Sequence, residues 1–303
     1  MSEQGAEAES AATGPGVIAT DDVGLYTIAN TVVLDSRFTM AYAAGINDGN
    51  PAYFDDLKPG GLQIHPGICF SLQWASRFRP DQKPNLRAAP YGVHASTDLV
   101  VHRPFRAGEA ITTQGRVMQK RQIQPGVYNV ERYRMTASDG ELVAELHYNG
   151  IIRGATLDGP DVVLEDEPAW PVFGKAGGEP LWRTEIPVPL HAGQQYTECA
   201  RIYNPIHTEP SVAKAAGLPG VILHGSATKA MSLTAVVNQC FEGDANRITR
   251  LCGQLRGMVL MDSGVTVEGL AEDEFDGEKR ILFRTLNAEG EPAIRNGVVC
   301  GRV

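Results

Sequence analysis

The chain has 303 residues, 43% of them hydrophobic and 21% charged, which is typical of a globular protein with one large core or two ordinary domains. Its net charge of −9 argues against nucleic acid or an anionic membrane as the main partner. No apolar run approaches the length of a membrane span.

The amino-terminal segment is rich in Ala, Glu, Gly and Ser and lacks both a basic region and an apolar core. It is predicted to be a disordered tail over residues 1–20 rather than a signal peptide. The five cysteines are far apart, odd in number and without CxxC spacing. This pattern favours reduced thiols in a cytoplasmic protein and argues against a metal site.

Residues 21–154 begin with a short strand at 31–34, followed by a helix over 36–45 that Asp35 can cap. His65-Pro66-Gly67 precedes the apolar run 68–76, whose spacing predicts a buried helix. Four stretches separated by turn signals then alternate or run apolar, at 94–102, 110–120, 127–137 and 141–152. They predict a long antiparallel sheet.

Residues 155–181 are rich in glycine, proline and acidic residues and are predicted to be a linker. Residues 182–303 then repeat the first half. A strand at 184–190 and a helix at 192–202 precede Asn204-Pro205, which recurs 154 residues after Asn50-Pro51. A helix follows His224-Gly225, with Ser226 as its expected N-cap, and strands follow at 249–261, 265–272, 279–288 and 292–301.

The matching order and offsets predict an internal duplication, with too few copies for a solenoid. Each half is expected to wrap its sheet around its apolar helix. Joining the two sheets at their edges would bury strand edges that otherwise invite aggregation. The predicted fold class is therefore α+β.

Two turn sequences in the second half, Asn204-Pro205 and His224-Gly225, predict a functional site. Asn204-Pro205 forces a turn that holds His207 at a fixed point, because proline fixes φ and restricts the residue before it. His224-Gly225 opens a helix whose first amides should face His207. A titratable imidazole facing free backbone donors is suited to carbonyl chemistry.

The run Tyr-Thr-Glu-Cys-Ala-Arg-Ile-Tyr-Asn-Pro-Ile-His at 196–207, with Leu-Pro-Gly-Val-Ile-Leu-His-Gly at 218–225, resembles the MaoC-like dehydratases, or hydratase 2 proteins. The family's hallmark is Gly-Asp-x-Asn-Pro-x-His, followed by a Pro-x-x-x-His-Gly-type segment. The strand opening at 101–109 also resembles the family. The resemblance covers most of residues 25–303 and implies a double hotdog, two fused domains that each wrap a sheet around a central helix.

The resemblance also implies a hydro-lyase of fatty acid metabolism, which adds or removes water across an enoyl or 3-hydroxyacyl thioester, usually of coenzyme A. In such proteins an aspartate and a histidine hold the water, and a glycine amide binds the thioester oxygen. The matching residues here are His207, Asn204 and Gly225. No cofactor beyond the acyl carrier is expected, and the chain is expected to form a homo-oligomer or to pair with a second hotdog subunit.

The sequence departs from the family pattern in both halves. In the second half the family's aspartate falls at Ile202 and its glycine at Arg201. In the first half Asp48 is present, but Tyr53 stands at the histidine position. Pro66, which has no N–H, follows His65. The first half is therefore predicted to be a degenerate copy, with one working site in the second half.

Three alternatives remain for the role of the family's aspartate, whose position is taken by Ile202. His207 can act with Asn204, which does not titrate. A neighbour can substitute, the candidates being Tyr203, Glu198 and Glu209. Asp48 can reach across from the first half.

Structural roles compete with these assignments. His224 is expected to pack beneath the helix start, with direct catalysis as the alternative, and Gly225 permits a tight turn into a helix. Asp48 has the surroundings of an Asx turn. A non-catalytic or partner-dependent acyl-thioester binding protein and a hotdog thioesterase are the alternative functions.

Overall fold

Two buried helices, one from each half, pack on one continuous antiparallel sheet in a computed structural model that describes residues 14–58, 60–79, 88, 91–174 and 178–303. The helices are α1 (Ser36–Gly45), α2 (Ile68–Ala75), α3 (Ala192–Ala200), α4 (Pro210–Ala215) and α5 (Gly225–Cys240). The first-half strands are β1 (Val17–Ile18), β2 (Asn30–Val33), β3 (Gly92–Val101), β4 (Ala110–Ile123), β5 (Gly126–Ala137) and β6 (Leu142–Arg153). Next come β7 (Thr156–Leu157), β8 (Val162–Val163), β9 (Trp182–Val188), β10 (Ile248–Leu255), β11 (Ser263–Phe275), β12 (Glu278–Leu286) and β13 (Pro292–Arg302).

The strand order is the same in the two halves, read outward from a central junction. The order is β2-β4-β5-β6-β3 on one side and β10-β13-β12-β11-β9 on the other. At the junction β3 and β10 pair antiparallel, with Val100 opposite Arg250 and Ser96 opposite Gln254. The two predicted sheets are thus joined at their edges, and the predicted repeat of elements is confirmed.

The N-cap residues explain where helices α1 and α5 begin. The Asp35 carboxylate accepts a hydrogen bond from the Phe38 N–H at 2.8 Å, so the predicted cap of α1 is confirmed. The predicted cap of α5 at Ser226 is wrong. The helix starts at Gly225, and His224 is the cap residue because its extended backbone (φ −57°, ψ 135°) turns the chain two residues earlier.

The two central helices differ in length. Helix α5 has 16 residues and α2 has 8. Most α5 side chains between Ala227 and Val237 are buried, including the polar Thr228, Lys229 and Ser232. The second half therefore has the longer central helix, and this helix carries buried polar groups.

The segments predicted as tail and linker are partly structured. Of the predicted tail, residues 1–13 lie outside the described part of the chain, but β1 pairs parallel with β7 and Ile18 is buried. The tail prediction is therefore wrong for β1, because Ile18 packs with Leu157 and Val127.

In the linker, Trp170 and Phe173 pack on Cys252, Val298 and Cys300, whereas the alternate residues Leu251 and Val299 belong to the main core. Because side chains alternate across a strand, the linker lies on the face of the sheet opposite the helices. No helix in the part of the chain that is described is long and apolar enough to cross a membrane.

Candidate functional site

The turn after α3 explains one unusual residue of the motif. The chain leaves the helix at Arg201, which adopts the left-handed conformation (φ 57°, ψ 37°). The equivalent Asn47 of the first half has φ 57° as well. A position with positive φ favours glycine, which the family pattern has there. In this chain the Arg201 guanidinium lies 4.1 Å from the centre of the Phe38 ring, a contact that offsets part of the backbone cost.

Asn204 shapes the turn that carries His207. Its side-chain oxygen accepts a hydrogen bond from the Ile206 N–H at 3.4 Å and caps the short 3-10 helix Pro205–His207. Asn50 caps the corresponding turn Pro51–Tyr53 by a bond from the Ala52 N–H at 3.0 Å. Both Asn-Pro pairs therefore have a structural use, and in Asn204 the amide oxygen is engaged.

His207 is held in one tautomer by the backbone. Its Nδ1 lies 2.9 Å from the carbonyl oxygen of Ile222. Because a carbonyl only accepts, Nδ1 carries the proton, and Nε2 keeps a free lone pair. Burial lowers the pKa of His207 to about 4, so the ring is neutral at physiological pH. A neutral imidazole with a free Nε2 can accept a proton.

His224 stacks on His207, with ring centroids 3.8 Å apart and planes at 30°. Its Nε2 lies 3.3 Å from the Ile202 carbonyl oxygen and 3.2 Å from Thr197 Oγ1. Its Nδ1 is buried and has no hydrogen-bond partner among the residues described. Burial, and next the neighbouring His207, lower its pKa to about 2. The two rings therefore place two unprotonated nitrogens in one cluster.

Gly225 is the first residue of α5 and follows His224 directly. The first N–H groups of a helix have no partner within it and carry the positive end of its dipole. A methyl group added at Gly225 would lie 2.5 Å from Leu255 Cδ1, so a larger residue there would have to displace the Leu255 side chain on β10. The structure thus brings three predicted residues together: His207, His224 and Gly225.

The remaining candidates lie elsewhere. Tyr203 is 56% exposed, and Glu198 and Glu209 are exposed as well. Ile202, at the family's aspartate position, is buried in the main core. Within the described ranges, neither glutamate hydrogen-bonds to either histidine, and no group of three His, Cys, Asp or Glu residues could hold a metal ion.

The Asp48 carboxylate contacts the second half, but at Thr234 rather than at His207. Its carboxylate accepts hydrogen bonds from the Asn50 N–H at 3.0 Å and from the Thr234 hydroxyl at 2.7 Å. Thr234 lies nine residues after Gly225 on α5, roughly 13 Å along the helix axis. The structure therefore does not bring Asp48 to His207, and the carboxylate joins the two halves instead.

In the first half, the residues at the positions of the site bond to and pack on one another. His65 Nδ1 accepts a hydrogen bond from the Gly67 N–H at 3.0 Å, so this amide beside the start of α2 already has a partner. Tyr53, at the position of His207, is buried, and its ring lies 5.7 Å from that of His65. Nothing comparable to the free Nε2 of His207 is present at Tyr53.

Buried rings connect the two copies. The rings are in contact in the order Tyr53, His65, Tyr42, Tyr196, His224 and His207, with centroid separations between 3.8 and 6.1 Å. Tyr53, His65 and Tyr42 of the first half are the sequence counterparts of His207, His224 and Tyr196 of the second half. The row therefore crosses the pseudo-twofold axis at the contact between Tyr42 and Tyr196.

Sequence reasoning missed three residues that position the histidines. Thr197 contacts His224, and Tyr196 packs edge-on against it at 5.0 Å. A side chain at Gly193 would collide with the carbonyl oxygen of His207. A glycine inside a predicted helix is a signal of close packing and could have identified Gly193. Nothing comparable distinguished Thr197 or Tyr196.

Comparison with known proteins finds a matching domain in the second half of the chain. The MaoC like domain matches residues 174–291. Enoyl-CoA hydratase 2, peroxisomal, of Arabidopsis thaliana is 28% identical over 97 residues, which make up 32% of this chain and 30% of that protein. The chain spans 30% or less of the length of each curated relative that it matches.

Solved structures match nearly the whole chain. A MaoC-like dehydratase from Phytophthora capsici superposes with a TM-score of 0.80 at 20% identity, covering 94% of this chain and 99% of the other. A Mycobacterium tuberculosis protein described as a double hotdog fold gives 0.60 at 14% identity, covering 93% and 96%. The predicted α+β double hotdog is confirmed. Residues 174–291 thus match the MaoC like domain, and the whole chain has a double-hotdog fold.

Proposed function

We propose that the protein is a hydro-lyase that adds water to, or removes it from, an enoyl or 3-hydroxyacyl thioester of coenzyme A. One observation carries the proposal. His207 keeps an unprotonated Nε2 because its Nδ1 is bonded to Ile222, and it lies in the same cluster as the start of α5. A base and a helix amide are the two groups that hydration of a conjugated thioester requires.

In the hydration direction, water adds its oxygen to the β-carbon and His207 Nε2 takes its proton. The electrons of the double bond move towards the thioester oxygen, where negative charge develops. The Gly225 N–H, at the positive end of α5, stabilises that charge more in the transition state than in the ground state. The imidazolium of His207 then returns the proton to the α-carbon, which restores the catalyst and leaves a 3-hydroxyacyl thioester.

We assign the role of the missing carboxylate to His224. Its Nδ1, which has no partner among the described residues, can accept a hydrogen bond from the same water while His207 removes the proton. The lower pKa of His224 makes it the weaker base, so it orients the water and does not take its proton. This arrangement differs from the aspartate and histidine that the family motif implies.

A second function is favoured by Ile202. An apolar side chain buried at the aspartate position provides neither charge nor hydrogen bond. A protein that binds an acyl thioester without turnover, or that acts with a partner hotdog subunit supplying the carboxylate, would tolerate this change. The two functions differ in whether the isolated chain turns over an enoyl thioester.

The test measures loss of absorbance at the enoyl-thioester band with crotonyl-CoA and with longer and branched enoyl-CoA substrates. We expect turnover by the wild type and a loss of about 100-fold or more in His207→Ala, since a general base contributes about 10²–10⁴-fold. Ile202→Asp should raise or preserve the rate. Exposed Tyr203→Phe is the matched control and should leave the rate unchanged.

Two outcomes contradict the proposal. An unchanged rate in His207→Ala removes the assignment of the base. Binding of the acyl-CoA without turnover by the wild type on every substrate supports the binding function instead.

A further inference from the structure

A lysine of α5 has no use in the chemistry described above. Lys229 is 1% exposed, and its Nζ is buried without a hydrogen-bond partner among the residues that are described. Lysine is almost never fully buried unless it is paired. The counterpart of Lys229 in α2 is Phe70, which is buried in the main core. The second half therefore has an amine where the first half has an aromatic ring.

Lys229 lies one helical turn beyond the proposed thioester site. It follows Gly225 by four residues, so the two share a face of α5 and are about 6 Å apart along the axis. Gly225 contacts Leu255 at the end of β10, next to β3. An acyl group whose carbonyl oxygen is bound by the Gly225 amide would extend towards Lys229 if it runs inward along this face.

The charged and titratable groups around Lys229 do not satisfy it. Apart from burial, the groups that influence its pKa are Cys252 on β10 and Asp98 on β3. Asp98 is held by two hydrogen bonds from Arg250, at 2.8 and 2.6 Å. Cys252 is a buried thiol whose pKa is raised by burial, so it carries no charge. Neither group therefore neutralises an ammonium at Lys229.

His94 of β3 is also influenced electrostatically by the lysine. Its Nε2 lies 2.7 Å from Thr97 Oγ1, and its ring stacks on Tyr148 with centroids 4.1 Å apart. Burial lowers the pKa of His94, and a positive charge on Lys229 would lower it further, so this ring is neutral. Burial likewise lowers the pKa of Lys229 well below its usual value. Burial therefore disfavours the ammonium form of a lysine that has no hydrogen-bond partner among the described residues, and an unpaired buried polar group is unfavourable.

We propose that Lys229 binds a carboxylate at the far end of the acyl group, so that the substrates are coenzyme A thioesters of unsaturated dicarboxylic acids. This inference rests on the proposed function for the place of the thioester. The incoming carboxylate pairs with the amine, which takes up one proton from solution and becomes an ammonium. A plain alkyl chain would leave the amine unpaired, and a hydroxyl or oxo group would pair with it without proton uptake.

The first test compares substrates. We expect the wild type to favour trans-2-hexenedioyl-CoA over trans-2-hexenoyl-CoA by about 10–100-fold in kcat/KM, as for other sites built around a buried polar group. Lys229→Met, which keeps the length of the side chain, should abolish the preference while turnover of the hexenoyl substrate is retained. Lys229→Gln provides a second variant with a polar end.

The second test measures binding and does not require turnover. Titration calorimetry in buffers of different ionisation enthalpy should show uptake of about one proton at pH 7 when adipyl-CoA binds. Hexanoyl-CoA should show none, and neither should adipyl-CoA with Lys229→Met. A series from glutaryl-CoA to suberyl-CoA locates the chain length that brings the carboxylate to the amine.

The outcomes separate this inference from the proposed function. If plain enoyl-CoA substrates are hydrated and Lys229→Met leaves the preference unchanged, the carboxylate assignment is overturned and the hydro-lyase stands. Tighter binding of hydroxy or oxo analogues without proton uptake also overturns it. If no substrate turns over but adipyl-CoA binds with proton uptake that depends on Lys229, the hydro-lyase falls and the assignment of Lys229 stands.

Discussion

The protonation of His207 depends on one backbone contact. The Ile222 carbonyl fixes the proton on Nδ1, and partial burial disfavours the imidazolium. No buried carboxylate among the described residues is hydrogen-bonded to the ring to raise its pKa again. This differs from a histidine paired with an aspartate, whose pKa would be raised by the negative charge.

This environment predicts the pH dependence of activity. Because the pKa of His207 is lowered to about 4, the ring stays unprotonated as pH falls from 8 to about 5. The value of kcat/KM should therefore be flat over that range and decline as pH falls through about 4. The measurement is the pH profile of crotonyl-CoA hydration, with circular dichroism at each pH to confirm that the protein is folded. A decline centred near 6.5, the usual histidine value, would contradict this account of His207.

Ile202→Asp provides the matched comparison for that profile. A carboxylate placed beside the two rings favours their charged forms and raises the pKa of His207. The acidic limb of the variant should therefore lie at a higher pH than that of the wild type. Identical profiles would show that residue 202 does not face the imidazole.

At the scale of elements, the site depends on how closely α3 approaches the turn Pro205–His207. Gly193 lies against the His207 carbonyl, and the Gln194 side chain donates to the Thr208 carbonyl at 3.0 Å. A side chain at residue 193 would have to push the turn away because its neighbour there is backbone. The helix therefore sets the position of the base.

We expect Gly193→Ala to destabilise the protein by about 1–3 kcal/mol and to reduce turnover by more than 10-fold, because it displaces His207. Urea denaturation and the crotonyl-CoA assay measure the two effects. Gly220→Ala is the matched control, since a methyl group there would meet only Leu260 Cδ2 at an ordinary 3.8 Å. Wild-type activity in Gly193→Ala would show that the turn can shift without harm.

At the scale of the whole molecule, the first half is connected to α5 and to the loop that follows it in the second half. Besides the bond from Thr234 to Asp48, the Asn50 side chain donates to the Gly243 carbonyl at 2.7 Å. Gln63 donates to the Asp244 carboxylate at 2.9 Å. The first-half motif thus keeps its polar residues as contacts between the halves.

Asp48→Asn and Thr234→Val should each lower the free energy of unfolding by about 1–3 kcal/mol, since each disturbs a buried hydrogen bond to a charged group. The double variant should lose less than the sum, because both changes remove the same bond. Urea titrations of the four proteins give the coupling energy. Crotonyl-CoA turnover should be unchanged in Asp48→Asn, and a large loss in the folded variant would mean that Asp48 serves the site.

The sequence by itself determined the repeat, the order and type of its main elements, and the two turn sequences that carry His207 and His224. These features follow from local patterns: apolar periodicity, turn residues and proline geometry. The tertiary structure decided which nitrogens of His207 and His224 are free, that Asp48 binds Thr234, and that Lys229 is buried without a hydrogen-bond partner among the described residues. These facts depend on residues that are distant in sequence and come together only in the folded chain, within the second half for the histidines and between the halves for Asp48, so no local pattern encodes them.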